Sequence, residues 1–128
     1  MKALMIVEMN NIAEIADAYS YKVAEQVACV VAERLKRHFP QGDVLARCGR
    51  KECIVSFADS ASREILERQC RIFLEDVMGI GADGISLDCS IGAAIAQDGE
   101  QAVLMLVERA DRALCTAMRA GNNQFVIV

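Results

Sequence analysis

At 128 residues the chain has the size of a single domain, long enough to hide about 65–70% of its unfolded surface on folding. Its net charge is −4 and no basic stripe is present, which argues against a nucleic-acid partner gripped through phosphates. Apolar residues make up 54%, much of it Ala and Val, yet no run approaches the roughly 18 residues a spanning helix needs. No membrane contact by this domain is expected.

Ala3 to Met9 is a continuous apolar stretch broken only by Glu8 and reads as a strand buried on both faces. Its apolar part, Ala3 to Val7, is too short for a signal peptide. Asn10 to Asp17 reads as a short helix or helical turn. Ser20 caps a longer one, Tyr21 to about His38, with Val23, Val27, Val30, Val31 and Leu35 at helical spacing. Pro40 and Gly42 end it. Val44 to Cys48 and Cys53 to Ala58 form a hairpin whose turn spans Gly49, Arg50, Lys51 and Glu52. Asp59 and Ser60 lead into a helix from Ser62 to Met78, with Ile65, Leu66, Cys70, Phe73 and Val77 as its stripe.

Ile85 to Ala96 is a further strand region. Asp98 and Gln101 have capping-box spacing. The last helix runs to about Arg119, with Val103, Leu106, Val107, Ala110, Leu114 and Ala117 on one face and Gly121 as its stop. Phe125 to Val128 closes the chain as a strand. The order predicts an α/β (α+β) fold, a mixed sheet with helices packed on it. No repeat or linker interrupts it, so residues 1–128 are one domain, expected to come from a longer protein.

The six cysteines form no CxxC pair, and with the single His38 they offer no zinc spacing. They read as reduced thiols, mostly on buried apolar faces, in a cytoplasmic protein. His38 is placed at a helix end, where its proton would complement the dipole.

Three segments carry a family resemblance. Val7-Glu8-Met9-Asn10 through Tyr19, continuing into Val31-Ala32-Glu33-Arg34-Leu35, is similar to "DIDxFKxIND" followed by "AxRL". Arg47-Cys48-Gly49-Arg50-Lys51-Glu52-Cys53 stands at the place of "R-x-GGDEF". Ser90-Ile91-Gly92-Ala93-Ala94 resembles "SIGVA". Arg109-Ala110-Asp111-Arg112-Ala113-Leu114-Cys115 and Ala120-Gly121-Asn122 then resemble "RADxALYxAKxxGRN". In register over nearly the whole chain, they resemble the GGDEF domain, the diguanylate cyclase fold. That resemblance implies a nucleotidyl cyclase-like fold, a central sheet of about five strands wrapped by helices.

The resemblance also implies a site. An active member makes cyclic di-GMP when two domains meet, each holding GTP, by metal-assisted phosphoryl transfer. The metal carboxylates fall at Glu8 and at Lys51. Glu8 is a longer acid. Lys51 has no lone pair for Mg²⁺ and would repel it at ~4 Å by about 4 kcal/mol per charge product, doubled for a divalent ion. Glu52 keeps an acid that also reads as a solvated hairpin charge. Gly49 remains, but Arg50 replaces the glycine that lets backbone approach phosphates; a surface arginine is the plainer reading.

The guanine-reading positions are Ala16, which cannot hydrogen-bond, and Glu25, which can. Phosphate-binding basic positions are occupied by Ala13, Met118 and Asn122. The inhibitory RxxD is Pro40-Gln41-Gly42-Asp43, where only Asp43 survives. Arg47, before the hairpin motif, is a structural position.

The reading is therefore a catalytically inactive regulatory or scaffolding domain of a cyclic di-GMP signalling protein, with no catalytic residue, metal or cofactor expected. Its partners are proteins or adjacent domains, an EAL phosphodiesterase domain among them, with a homodimer as another option. It is cytoplasmic, in a parent that can be membrane-anchored. A GTP-binding sensor without turnover is the alternative, resting on Glu8, Glu25 and Glu52, and an active cyclase with an altered site is the third. A further expectation is an ion pair between Glu8 and Lys51, worth about 0–1 kcal/mol.

Overall fold

The computed structural model describes residues 1–48, 51–59, 62–80, 86–99 and 102–128, with the backbone alone for 45–48. β1 (Ala3–Met9) takes the centre of the sheet because both of its faces are apolar. After it come α1 (Ile12–Ala18), α2 (Tyr21–His38), β2 (Asp43–Cys48), β3 (Glu52–Phe57), α3 (Arg63–Met78), β4 (Cys89–Ile95), α4 (Val103–Ala120) and β5 (Phe125–Ile127). The five strands lie in the order β2-β3-β1-β4-β5. β4 and β5 run parallel, and the other neighbours are antiparallel.

The period of two along β1 sorts its side chains between two cores. Ala3, Met5, Val7 and Met9 point to the face covered by α1, α2 and α3, where Phe39, Phe57 and Phe73 fill the interior. Phe39 meets Phe57 and Phe73 with ring centroids 6.3 and 6.0 Å apart. Leu4 and Ile6 point to the opposite face, against Leu106, Ala110 and Leu114 of α4. That second layer is thin. Gly92 of β4, the register partner of Ile6, lies so close to α4 that a Cβ there would stand 2.2 Å from the Leu114 nitrogen and 2.3 Å from the Ala110 oxygen.

Helix ends follow local chemistry. The Ser20 hydroxyl accepts from the Val23 N–H at 3.1 Å, and Lys36, Arg37 and His38 sit in the last turn of α2, where positive charge complements the dipole. The Ser62 hydroxyl accepts from the Ile65 N–H at 3.4 Å. Gly121 ends α4 with φ +129°, a conformation that favours glycine. Among the described residues no helix is long and apolar enough to cross a membrane.

Several expectations are corrected. β4 begins at Cys89, later than the strand region expected from Ile85. At its start the side chains of Asn11 and Asn123 take over the backbone. Asn11 Oδ1 accepts from the Asp88 N–H and Asn123 Oδ1 from the Cys89 N–H. Asp98 does not cap α4: the N-cap is Ala102, without a side-chain bond, and Asp98 instead enters a turn with Gly99 at φ +82°. Gln101 lies outside the described residues.

Ile65 and Val103 are exposed, each the first apolar residue of its helix and beyond the sheet's cover, while Leu74 and Ala113 are buried in the stripes. Among the described cysteines, Cys53, Cys70 and Cys89 are buried, and Cys29 and Cys115 face solvent. Burial pushes the Cys70 thiol up to about 12 and raises that of Cys89 as well.

Candidate functional site

α1 and α2 are both short-faced where they meet. Ala13 and Ala16 on one helix, and Ala24 and Ala28 a turn apart on the other, present methyl groups only. With Ile12 they leave a cavity of about 230 Å³. Its rim carries Asp17, Tyr21, Glu25 and Lys51. Four of the positions singled out from the sequence, Ala13, Ala16, Glu25 and Lys51, therefore come together on one concavity.

Glu8 and Glu52 meet elsewhere. They are direct cross-strand partners in the β1–β3 ladder, and Ser90 stands on the other side of Glu8. The alternation of the strand puts them on the face of α4, in line with Ile6 and Leu4. The Glu52 carboxyl is raised above its ordinary value, first by burial, then by the negative charges of Glu8 and of Asp111 on α4; Lys51 opposes the shift.

The expected Glu8–Lys51 ion pair does not form within 4 Å. Ion pairs within 4 Å do join Asp76 to Arg34 and to His38. The reason is register: Glu52, rather than Lys51, is the residue opposite Glu8. Lys51 meets β1 through its backbone, its carbonyl accepting from the Met9 N–H at 2.7 Å, and the residue also borders the helical cavity.

The remaining positions are dispersed. Asn122 lines a polar pocket with Asn10, Asn11, Asp88 and Asn123 at the far ends of β1 and β4. There Asn10 Nδ2 donates to the Ser90 hydroxyl at 2.8 Å, and the Asn123 N–H donates to Asp88 Oδ1. Met118 is exposed on α4, and Pro40 and Asp43 are exposed before β3. Gly49 and Arg50 lie outside the described residues. Among the described residues no group of three or more His, Cys, Asp or Glu side chains is placed to hold a metal ion.

Sequence reasoning missed a clasp between α2 and α3. Arg34 Nη1 donates to Asp76 Oδ1, and His38 Nε2 lies 2.7 Å from Asp76 Oδ2. His38 also packs edge-on against Phe73, with centroids 5.8 Å apart. The Asp76 carboxyl is held below its ordinary value by the hydrogen bond from Arg34 and then by that from His38. The i, i+4 spacing of Arg34 and His38 was a usable signal for a shared acid across the helix face.

A five-stranded mixed sheet with helices on both faces is the fold this chain shares with solved GGDEF domains. The sequence profile of the family described as "Diguanylate cyclase, GGDEF domain" matches residues 1–124, and the chain belongs to that family. It is similar to the diguanylate cyclase DgcP of Pseudomonas aeruginosa, 28% identical over 127 residues, which is 97% of this chain but 19% of that protein's length. The chain thus spans about a fifth of this curated relative.

Among solved structures it resembles the GGDEF domain of DgcB from Caulobacter crescentus, crystallised with c-di-GMP. The TM-score is 0.86 at 22% identity, covering 98% of this chain and 76% of that one. It also resembles an EAL/GGDEF domain protein from M. capsulatus, with a TM-score of 0.79 at 21% identity, covering 98% and 83%. The domain is therefore a GGDEF domain of the kind found in cyclic di-GMP signalling proteins, some of which carry an EAL domain in the same chain.

Proposed function

We propose that this GGDEF domain is catalytically inactive and works as a regulatory or scaffolding domain of a cyclic di-GMP signalling protein, through protein contacts. The observation that carries this reading is the placement of Lys51. The family's metal pair would need a carboxylate there, and a lysine at the cavity stands in its place. Glu8 and Glu52 stay opposite one another as two like charges, and Glu52 holds its proton more tightly than an ordinary carboxyl. These residues do not fit the metal-bridged pair, so no catalytic step through a metal is assigned.

Basic groups for a triphosphate are replaced at Ala13, Met118 and Asn122. Surfaces for protein contact are present: Val103, Leu104 and Met105 open α4 with exposed apolar side chains, Leu104 being 75% exposed. The likeness to an EAL/GGDEF domain protein supports an adjacent phosphodiesterase domain as the partner.

Incubation of the purified protein with GTP and Mg²⁺ is expected to yield no cyclic di-GMP by mass spectrometry. Any turnover above the protein-free control overturns the reading. The second reading, a GTP-binding sensor that regulates an attached EAL domain, draws support from Glu25 on the cavity rim. Calorimetric titration with GTP and Mg²⁺ separates the two, since saturable heat tighter than millimolar favours the sensor.

A further inference from the structure

We propose that the outer face of α3 is a self-association surface, on which a second copy of this chain lays its own α3 antiparallel about a two-fold axis.

The helix carries two stripes. Leu66, Cys70, Phe73, Leu74 and Val77 are buried against the sheet. On the opposite side Ile65, Arg68, Ile72 and Glu75 recur at intervals of three and four, the spacing of a helix–helix seam. All four are exposed, Ile65 and Ile72 by 50% and 48%. Two branched apolar side chains aligned seven residues apart on a solvent face are what a partner helix would cover. The neighbours on the flanks are engaged within the fold. Gln69 bonds Gln41, Asp76 holds Arg34 and His38, and Arg71 lies over the Phe125 ring at 5.7 Å. Arg68 and Glu75 stand between them on the open side.

Charge selects the occupant. In an isologous contact residue i of one copy meets residue j of the other, and j meets i. An antiparallel pairing centred between Arg71 and Ile72 sets Arg68 opposite Glu75 of the second copy, and Glu75 opposite its Arg68, because the two lie equally far from that centre on either side. The same register brings Ile72 next to its own counterpart. It also sets Ile65 over the Met78–Gly79 end, where Met78 is exposed and Gly79 adds no side chain. A parallel pairing would put Arg68 on Arg68 and Glu75 on Glu75. The face thus complements itself in one orientation and repels itself in the other.

Area sets the strength. α3 has 16 residues and is about 24 Å long. One such helix against another buries less than the roughly 1,200–2,000 Å² of a stable interface, so the pair is weak and reversible. None of these residues lines the α1–α2 cavity or belongs to the Glu8–Glu52 pair, so the surface acts whether or not the domain turns over GTP.

The test is sedimentation equilibrium of the purified protein up to about 1 mM. Wild type is expected to show a reversible monomer–dimer equilibrium that goes no further than the dimer. Arg68→Glu and Glu75→Arg each set like charges against one another and are expected to weaken dimerisation at least about tenfold. The double variant Arg68→Glu/Glu75→Arg restores opposite charges and is expected to recover it, as is an equimolar mixture of the two single variants. Arg and Glu are both good helix formers, so these variants are expected to fold, with circular dichroism as the check. If a single variant fails to fold, Ile72→Gln carries the test with the same expected loss. Leu104→Gln, at the exposed start of α4, is expected to leave the dimer unchanged. A monomer at every concentration, single variants that dimerise like wild type, a double variant or a mixture that stays monomeric, or loss of the dimer in Leu104→Gln would each overturn the proposal.

Discussion

The two faces of the sheet are stabilised in opposite ways. Under α1, α2 and α3 the interior is filled by volume: three phenylalanines, Met5, Met9 and Leu35 are almost wholly hidden. Under α4 it is filled by closeness: Gly92, Ala94 and Ala110 let the helix lie directly on the strands. The first face should fail when a large group is removed, and the second when a small one is added.

The largest effect is therefore expected on the three-helix face. Phe73→Ala leaves a void among Phe39, Leu66 and the α2–α3 seam and should cost about 3–5 kcal/mol in urea unfolding. A cost below about 1 kcal/mol would show that the face is not filled by volume. On the other face Gly92→Ala should cost about 1–3 kcal/mol or more, since backbone atoms of α4 are the obstacle and cannot rotate away. An unchanged denaturation midpoint would mean that α4 moves freely over the sheet.

The charged seams sharpen the same comparison at smaller scale. Asp76→Asn removes the acid that Arg34 and His38 share across α2 and α3 and is expected to cost about 1–2 kcal/mol at neutral pH, reduced by partial solvent exposure. Because the Asp76 carboxyl is held low in the folded protein, its contribution is present above the ordinary carboxylate range. It is lost as pH falls through the folded value. The gap between wild type and Asp76→Asn should accordingly narrow in acid, and a gap that widens there would contradict the clasp.

Glu52→Gln should act with the opposite sign. Its carboxyl is raised in the folded state, so ionising it costs stability as pH rises from the ordinary value through the folded one. Removing the charge opposite Glu8 should stabilise the protein by roughly 0.2–1 kcal/mol at pH 7 and change little below pH 4. Destabilisation at neutral pH would indicate that Glu52 has a favourable partner.

What was legible in the sequence follows burial. β1 and α2 were readable to the residue, because an unbroken apolar run and an 18-residue amphipathic stretch capped by Ser20 admit one arrangement each. The first family motif runs over β1, α1 and α2 and the second lies at the β2–β3 turn, so the fold and the meeting of Ala13, Ala16, Glu25 and Lys51 were within reach. Less legible was what depends on side chains from distant segments. The start of β4 is set by Asn11 and Asn123, which lie far from it in the chain. The partner of Glu8 depends on a ladder register that a hairpin count one residue off would reverse. Asp76 lies 38 residues from His38, so the spacing of Arg34 and His38 on α2 signals a shared acid without saying which acid it is.

The distribution of thiols gives the protein a built-in folding gauge. Cys29 and Cys115 are open to solvent, whereas Cys53, Cys70 and Cys89 are sealed between sheet and helices, with Cys70 and Cys89 held protonated well beyond mild alkaline pH. An alkylating reagent, which consumes thiolate, would mark the open pair first. Mass shifts at the three sealed positions would then count only molecules whose helices had lifted from the sheet, timing each opening without any engineered probe residue.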